Sequence, residues 1–166
     1  MGILGKFLTI SAILVLGACT NAAGNGGAGS AGGGAAAAGS VSDPSSPAFF
    51  QQSVGDRVLF PVNESTFTDE ARSVLNAQAQ WLLANTDYNA VIEGHADEQG
   101  TREYNLALGA RRANAAREFL MARGVSGDRL KVLSYGKERP IAICSEESCY
   151  AKNRRAVTVL SSGLTG

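Results

Sequence analysis

The sequence is short of several things that common functions need. Among its 166 residues are one histidine, three cysteines, one tryptophan and four prolines, and aromatic residues make up 7%. A single imidazole is too few nitrogens for the usual His-rich metal sites, and with one candidate base in the chain a conventional Ser-His-Asp enzyme is not expected. His95 stands beside Asp97 and Glu98, but without a second nitrogen or sulfur ligand the group makes a poor transition-metal site. No Ser or Cys is placed beside a base for nucleophilic work, so no catalysis, metal or cofactor is expected. Net charge is also missing, because 15 Lys+Arg balance 15 Asp+Glu. That balance removes bulk electrostatic capture of nucleic acid. The basic pairs Arg111-Arg112 and Arg154-Arg155 are interleaved with acids and have no aromatic platform, so nucleic acid is not an expected partner.

A long apolar run is lacking too. The stretch from Phe7 to Leu16 follows one basic residue, Lys6, and falls short of the ~20 residues a stable bilayer span requires. A positive start, a short apolar stretch and small residues after it have the form of a secretory signal peptide, expected over residues 1–18. Leu16-Gly17-Ala18-Cys19 resembles the bacterial lipobox, which makes Cys19 a lipidated N-terminal residue after cleavage. Several acyl chains, at about 0.8 kcal/mol per buried CH₂, hold firmly where one does not. Thr20 stands where an Asp would suggest inner-membrane retention, which favours the inner leaflet of the outer membrane.

From Thr20 to Ala48 the chain is Gly, Ala, Asn and Ser with one charge, Asp43. Such a stretch has too little apolar surface to offset its ordering entropy and reads as a flexible tether, residues 19–50, with a reach of roughly 30 Å. The folded domain is expected over residues 51–162. Arg57–Phe60 reads as a first strand. Thr68 caps a helix carrying Ala71, Val74, Leu75, Trp81 and Leu82. Tyr88–His95 reads as a buried strand and Thr101–Arg123 as a long helix closed by Gly124. Arg129–Tyr135 alternates like a strand, a short helix lies near Ser145–Asn153, and Arg155–Leu160 closes the domain. The order β-α-β-α-β-(α)-β fits an α/β two-layer sandwich.

One feature of the long helix points to chemistry. Leu108, Arg112, Ala116 and Leu120 lie four apart, so Arg112 interrupts an apolar stripe. Asn105, Leu108 and Arg112 share that face, with Asn105 about 10.5 Å from Arg112 along the axis. Asp97 lies in the preceding loop. The spacing favours an Asp97–Arg112 ion pair that ties loop to helix, with a ligand site as the alternative. Cys144 and Cys149 remain once Cys19 is assigned to lipid, and export favours a disulfide between them. Five residues apart in one helix they would exceed the ~7 Å Cα reach, so Cys144 should precede the helix, with Ser145 near its cap.

The segments Val91-Ile92-Glu93-Gly94-His95-Ala96-Asp97 and Asn105-Leu106-Ala107-Leu108-Gly109-Ala110-Arg111-Arg112-Ala113 resemble the family of outer-membrane-protein-A-like C-terminal domains, in its lipid-anchored branch. Val132–Pro140 and Asn153–Val157 continue the likeness, which covers about Val58 to Leu160. The resemblance implies non-covalent binding of peptidoglycan through the meso-diaminopimelate residue of its stem peptide. Asp97 would take the ammonium, Arg112 the carboxylate in a bidentate grip, and Asn105 a neutral hydrogen bond, with Leu108 and Phe60 completing the site. The family often has an acidic residue where this chain has Pro61, which cannot donate an N–H, so any backbone contact there falls to Phe60, Val62 or Asn63.

The resemblance further implies an outer-membrane lipoprotein of a Gram-negative envelope that works with the Tol system, including the periplasmic propeller protein TolB, in envelope integrity and cell division. The alternative is an envelope lipoprotein whose main ligand is another periplasmic protein. A wall-modifying hydrolase is a third class, and it would release soluble muropeptides.

Overall fold

The structure is a computed structural model, and it describes residues 39–162. The signal segment, Cys19 and most of the tether lie outside the described residues. Strands β1 (Arg57–Leu59), β2 (Tyr88–His95), β3 (Leu130–Gly136) and β4 (Arg155–Ser162) form one sheet in the order β1-β4-β2-β3. β2 runs parallel to β3 and antiparallel to β4, which in turn pairs antiparallel with β1. Between the strands come α2 (Asp69–Ala84), α3 (Arg102–Ala122) and α4 (Glu147–Asn153). The α/β two-layer sandwich is the observed architecture.

Local sequence explains most of these boundaries. The Thr68 hydroxyl accepts from the Ala71 N–H, and Asp69 and Glu70 in the first turn suit the positive end of the helix. Thr101 repeats the device for α3 by accepting from the Tyr104 N–H. At the far end of α3, Val125 N–H donates to Leu120 O and Gly124 N–H to Met121 O, with Gly124 at φ 101°. That is the Schellman closure a glycine permits. In β2, Ala90 and Ile92 point into the core while Val91 and Glu93 face outward. Leu75, Leu82, Ala113, Ala116 and Leu120 meet them from the helices.

Two glycines decide how α3 lies on the sheet. A Cβ on Gly94 of β2 would stand 1.9 Å from the Gly109 carbonyl oxygen of α3, and one on Gly109 would stand 2.5 Å from the Ser134 hydroxyl. Helix backbone therefore rests directly on strand backbone, one turn from Arg112.

The folded region begins earlier than the sequence patterning implies. Ser46 caps a short helix, α1 (Pro47–Phe49), that continues as a π-helical stretch over Phe50–Gly55. Phe50 is fully buried against Trp81, with ring centroids 4.8 Å apart, and the Trp81 indole N–H donates to Pro44 O at 2.7 Å. Residues 44–50, placed with the tether on composition, are thus part of the packed domain. Two aromatics supply the apolar surface that the glycine-rich stretch before them lacks. β1 is one residue shorter than expected, and Leu130 rather than Arg129 opens β3, because Gly127–Arg129 forms a 3₁₀ turn.

Candidate functional site

The candidate residues converge where the loop after β1, the loop after β2 and the start of β4 meet. The β2–α3 loop carries Asp97, whose Oδ1 accepts from the Gln99 N–H at 3.2 Å, a local turn that fixes the carboxylate. Asp97 is 8% exposed, so it sits at the rim with one edge toward solvent. Its ion-pair partner is Arg154, not Arg112: Arg154 Nη1 lies 3.2 Å from Asp97 Oδ2. The Asp97–Arg112 pairing considered on spacing is therefore corrected.

Arg112 is wholly buried and gives its hydrogen bonds to backbone. Its Nε donates to Glu64 O at 2.8 Å, Nη1 to His95 O at 2.9 Å and Nη2 to Pro61 O at 3.1 Å. The guanidinium also lies 5.1 Å from the centre of the Phe60 ring. One side chain thereby fastens the β1–α2 loop to the end of β2. Burial pulls its pKa down to about 10, with the nearby Asp97 charge opposing that pull. Of the five N–H groups of a guanidinium, three are engaged, which leaves one on each terminal nitrogen.

The remaining candidates are placed as follows. Asn105 and Leu108 are buried on the same face of α3 as Arg112. Asn105 donates Nδ2–H to Gln99 O at 2.7 Å, and its buried Oδ1 has no donor among the described residues. The Phe60 side chain is in the core, beneath Arg112, so it supports the site from below and gives no polar contact to a ligand there. The Phe60 N–H donates to Arg154 O and is not available. Val62 and Asn63 are exposed, and neither N–H is engaged among the described residues. Asn63 holds φ 57°, the left-handed conformation that turns this loop over Arg112.

Arg154 is the residue that reading the sequence missed. Its guanidinium is 5% exposed and bonds Phe60 O, Asp97 and Glu147. Burial lowers its pKa, but the hydrogen bonds and charges of Glu147 and Asp97 outweigh that and leave it above the ordinary value. The available signal was a pair of consecutive arginines where the last helix gives way to the closing strand, at a junction that a small domain normally covers. Below the rim, His95 is buried against Tyr135, rings 5.5 Å apart. Burial, then Arg155 and Arg139, lower its pKa to about 4, so it is neutral at pH 7. No group of His, Cys, Asp and Glu suited to a metal ion occurs among the described residues.

Cys144 and Cys149 are bridged, with Cα atoms 5.8 Å apart. Cys144 precedes α4, and the cap position is Glu146, with no side-chain cap bond, where Ser145 was expected.

Comparison with known proteins identifies the family and the fold. The OmpA family model matches residues 59–154. The peptidoglycan-associated lipoprotein of Mesorhizobium japonicum is 54% identical over 121 residues, 73% of this chain and 72% of that protein. The protein of the same name from Haemophilus influenzae is 38% identical over 156 residues, 92% of this chain and 94% of that protein. Relatives are thus named as wall-associated lipoproteins and not as enzymes. Among solved structures, the peptidoglycan-associated lipoprotein of Burkholderia pseudomallei superposes with a TM-score of 0.65 at 36% identity, covering 73% of this chain and 98% of that one. The C-terminal domain of Helicobacter pylori MotB, at 21% identity and a TM-score of 0.61, shares the fold. The chain belongs to the OmpA family, in its group of peptidoglycan-associated lipoproteins.

Proposed function

We propose that this domain binds peptidoglycan non-covalently by gripping the meso-diaminopimelate residue of the stem peptide. The observation that carries the reading is the cluster itself: one acid at the rim, Asp97, with two buried guanidiniums, Arg112 and Arg154, packed around it. The free stereocentre of diaminopimelate bears an ammonium and a carboxylate a few ångströms apart. Asp97 takes the ammonium. The carboxylate is drawn toward the two unengaged N–H groups of Arg112 and the free Val62 and Asn63 amides, once the loop over Arg112 yields. Asn105 offers its unmatched Oδ1 beside them. Leu108 holds Arg112 and Asn105 on one face, and Phe60 acts from beneath.

Each charge-assisted contact adds roughly 1.5–3 kcal/mol, so a single site binds moderately. Many copies facing a polymeric wall raise the effective concentration and compensate. The relatives' names and the lipobox-like Cys19 support a lipid anchor in the inner leaflet of the outer membrane, with the domain in the periplasm of a Gram-negative cell. In that setting the protein tethers membrane to wall and exchanges with TolB of the Tol–Pal system during envelope maintenance and division.

Asp97→Asn is the informative variant, because it removes the charge while keeping the local turn. The folded variant should lose co-sedimentation with purified sacculi, and undiminished co-sedimentation would overturn the assigned site. A second reading, a main ligand that is another periplasmic protein, draws on the apolar groove of about 490 Å³ lined by Leu59, Phe60, Pro61, Ala71 and Val74. It predicts that Val74→Arg leaves wall binding intact and abolishes TolB capture.

A further inference from the structure

Arg154 stands in the site as a built-in rival to any ligand ammonium, since it already occupies Asp97. How firmly it does so depends on its other partner. Nη1 lies 3.2 Å from Asp97 Oδ2 and 3.4 Å from Glu147 Oε2, while Nη2 bonds Glu147 Oε1. Both terminal nitrogens therefore reach Glu147, and a single one reaches Asp97. The Glu147 side chain is 64% exposed and that of Asp97 10%. Glu147 thus takes two of the three bonds that the terminal nitrogens give to carboxylates, and Asp97 shares the guanidinium rather than holding it alone.

The placement of Glu147 is itself constrained. It is the first residue of α4 and lies within the loop closed by the Cys144–Cys149 bridge. At the other end of α4, buried Asn153 accepts from the Ile141 and Ala142 N–H groups and donates to Ala142 O and Glu98 Oε2. The loop leading into the bridge, helix α4 and the Asp97–Glu98 loop are thereby linked through two consecutive residues, Asn153 and Arg154.

We infer that Glu147 is a specificity-determining positioning residue: it draws Arg154 off Asp97, keeps the carboxylate available to a ligand ammonium, and is held in register by the disulfide. The inference rests on the wall-binding reading above. When Glu147 loses its charge, Asp97 becomes the remaining anion for Arg154, in a buried setting where such pairing is strong. The ammonium then competes less well, while recognition of the carboxylate end is untouched.

The test is calorimetric titration of the full chain with two soluble stem peptides. They differ only in whether the diaminopimelate amine at the free stereocentre is unmodified or acetylated. The unmodified peptide should bind the wild-type protein at least about tenfold tighter, the value of one charge-assisted bond. Glu147→Gln should lower affinity for the unmodified peptide by about tenfold and leave the acetylated one unchanged. Glu147→Asp should restore part of the difference. Replacing both cysteines by serine should act in the same direction on the wild type and add nothing to Glu147→Gln. An unaltered affinity ratio in Glu147→Gln overturns the inference. Equal effects of bridge removal with and without Glu147 overturn the role of the disulfide. If the wild type binds neither peptide, the wall-binding reading fails and this inference falls with it. If it binds both equally, Asp97 is not the ammonium site.

Discussion

Replacing Arg112 with alanine should destabilise the domain by about 2.5 kcal/mol, a sizeable share of the 5–15 kcal/mol typical of a domain. The number follows from the bonds the guanidinium makes. Its removal strips the Arg112 bond from the carbonyls of Glu64 and His95, whereas the Pro61 carbonyl keeps the Glu64 N–H. Leaving a covered carbonyl unpaired costs about 1–3 kcal/mol, or roughly 4 for the two. Against this, the depression of the Arg112 pKa from 12.5 to about 10 shows that the charged form is penalised in place. At 1.36 kcal/mol per unit, removing that penalty returns roughly 3 kcal/mol. The cavity above Phe60 adds a loss of about 1–2 kcal/mol, toward the low end for a large-to-small change, since the loop can settle. Urea unfolding followed by circular dichroism measures the difference through the midpoint at constant slope. A loss below about 1 kcal/mol would mean that water satisfies the two carbonyls, and that Arg112 does not fasten the β1–α2 loop. The corollary is practical: failure of an Arg112 variant to bind wall is ambiguous, whereas Asp97→Asn is not.

Gly94→Ala should cost about 3 kcal/mol or more, or prevent folding, because the new methyl meets the Gly109 carbonyl and backbone must move to admit it; a near-native melting temperature would contradict the close crossing. The neutral burial of His95 makes stability pH-dependent. Its folded pKa, about 4, lies below the unfolded 6.5, so its contribution is present above pH 6.5 and is lost as pH falls toward 4. The wild type should lose about 3 kcal/mol more than His95→Asn across that window. Denaturation midpoints at several pH values would show it, and parallel profiles for the two proteins would refute it.

Much of the architecture is written locally in the chain. Thr68 and Thr101 cap their helices, Gly124 ends α3, and Tyr88–His95 is β-rich with a buried middle, so these boundaries need no long-range information. The Pro47–Gly55 segment was not legible in the same way. It has no helical periodicity and exists because Phe50 and Pro44 find Trp81, a partner far along the chain. A Ser-Pro pair ahead of two phenylalanines was the available hint.

The site divides along the same line. That Arg112 breaks an apolar stripe beside Asn105 and Leu108 is visible from helical spacing, and the structure puts all three on one buried face. Which acid meets which arginine is not visible. Arg154 reaches Asp97 because β4 runs antiparallel beside β2, with Ala156 opposite Gly94, and Arg112 turns to carbonyls because the Asn63 turn brings them there. Partner choice among buried charges is a property of the assembled loops, and no spacing rule encodes it.

The central claim, that the rim around Asp97 holds a zwitterionic amino acid, is tested most directly by amide chemical shifts of the isotope-labelled protein during titration with a soluble diaminopimelate stem peptide. The account predicts saturable changes at residues 62–64, 97–100 and 105, with none along the far ends of β2 and β4. Changes confined to the groove beside Val74, or none at all, would contradict it.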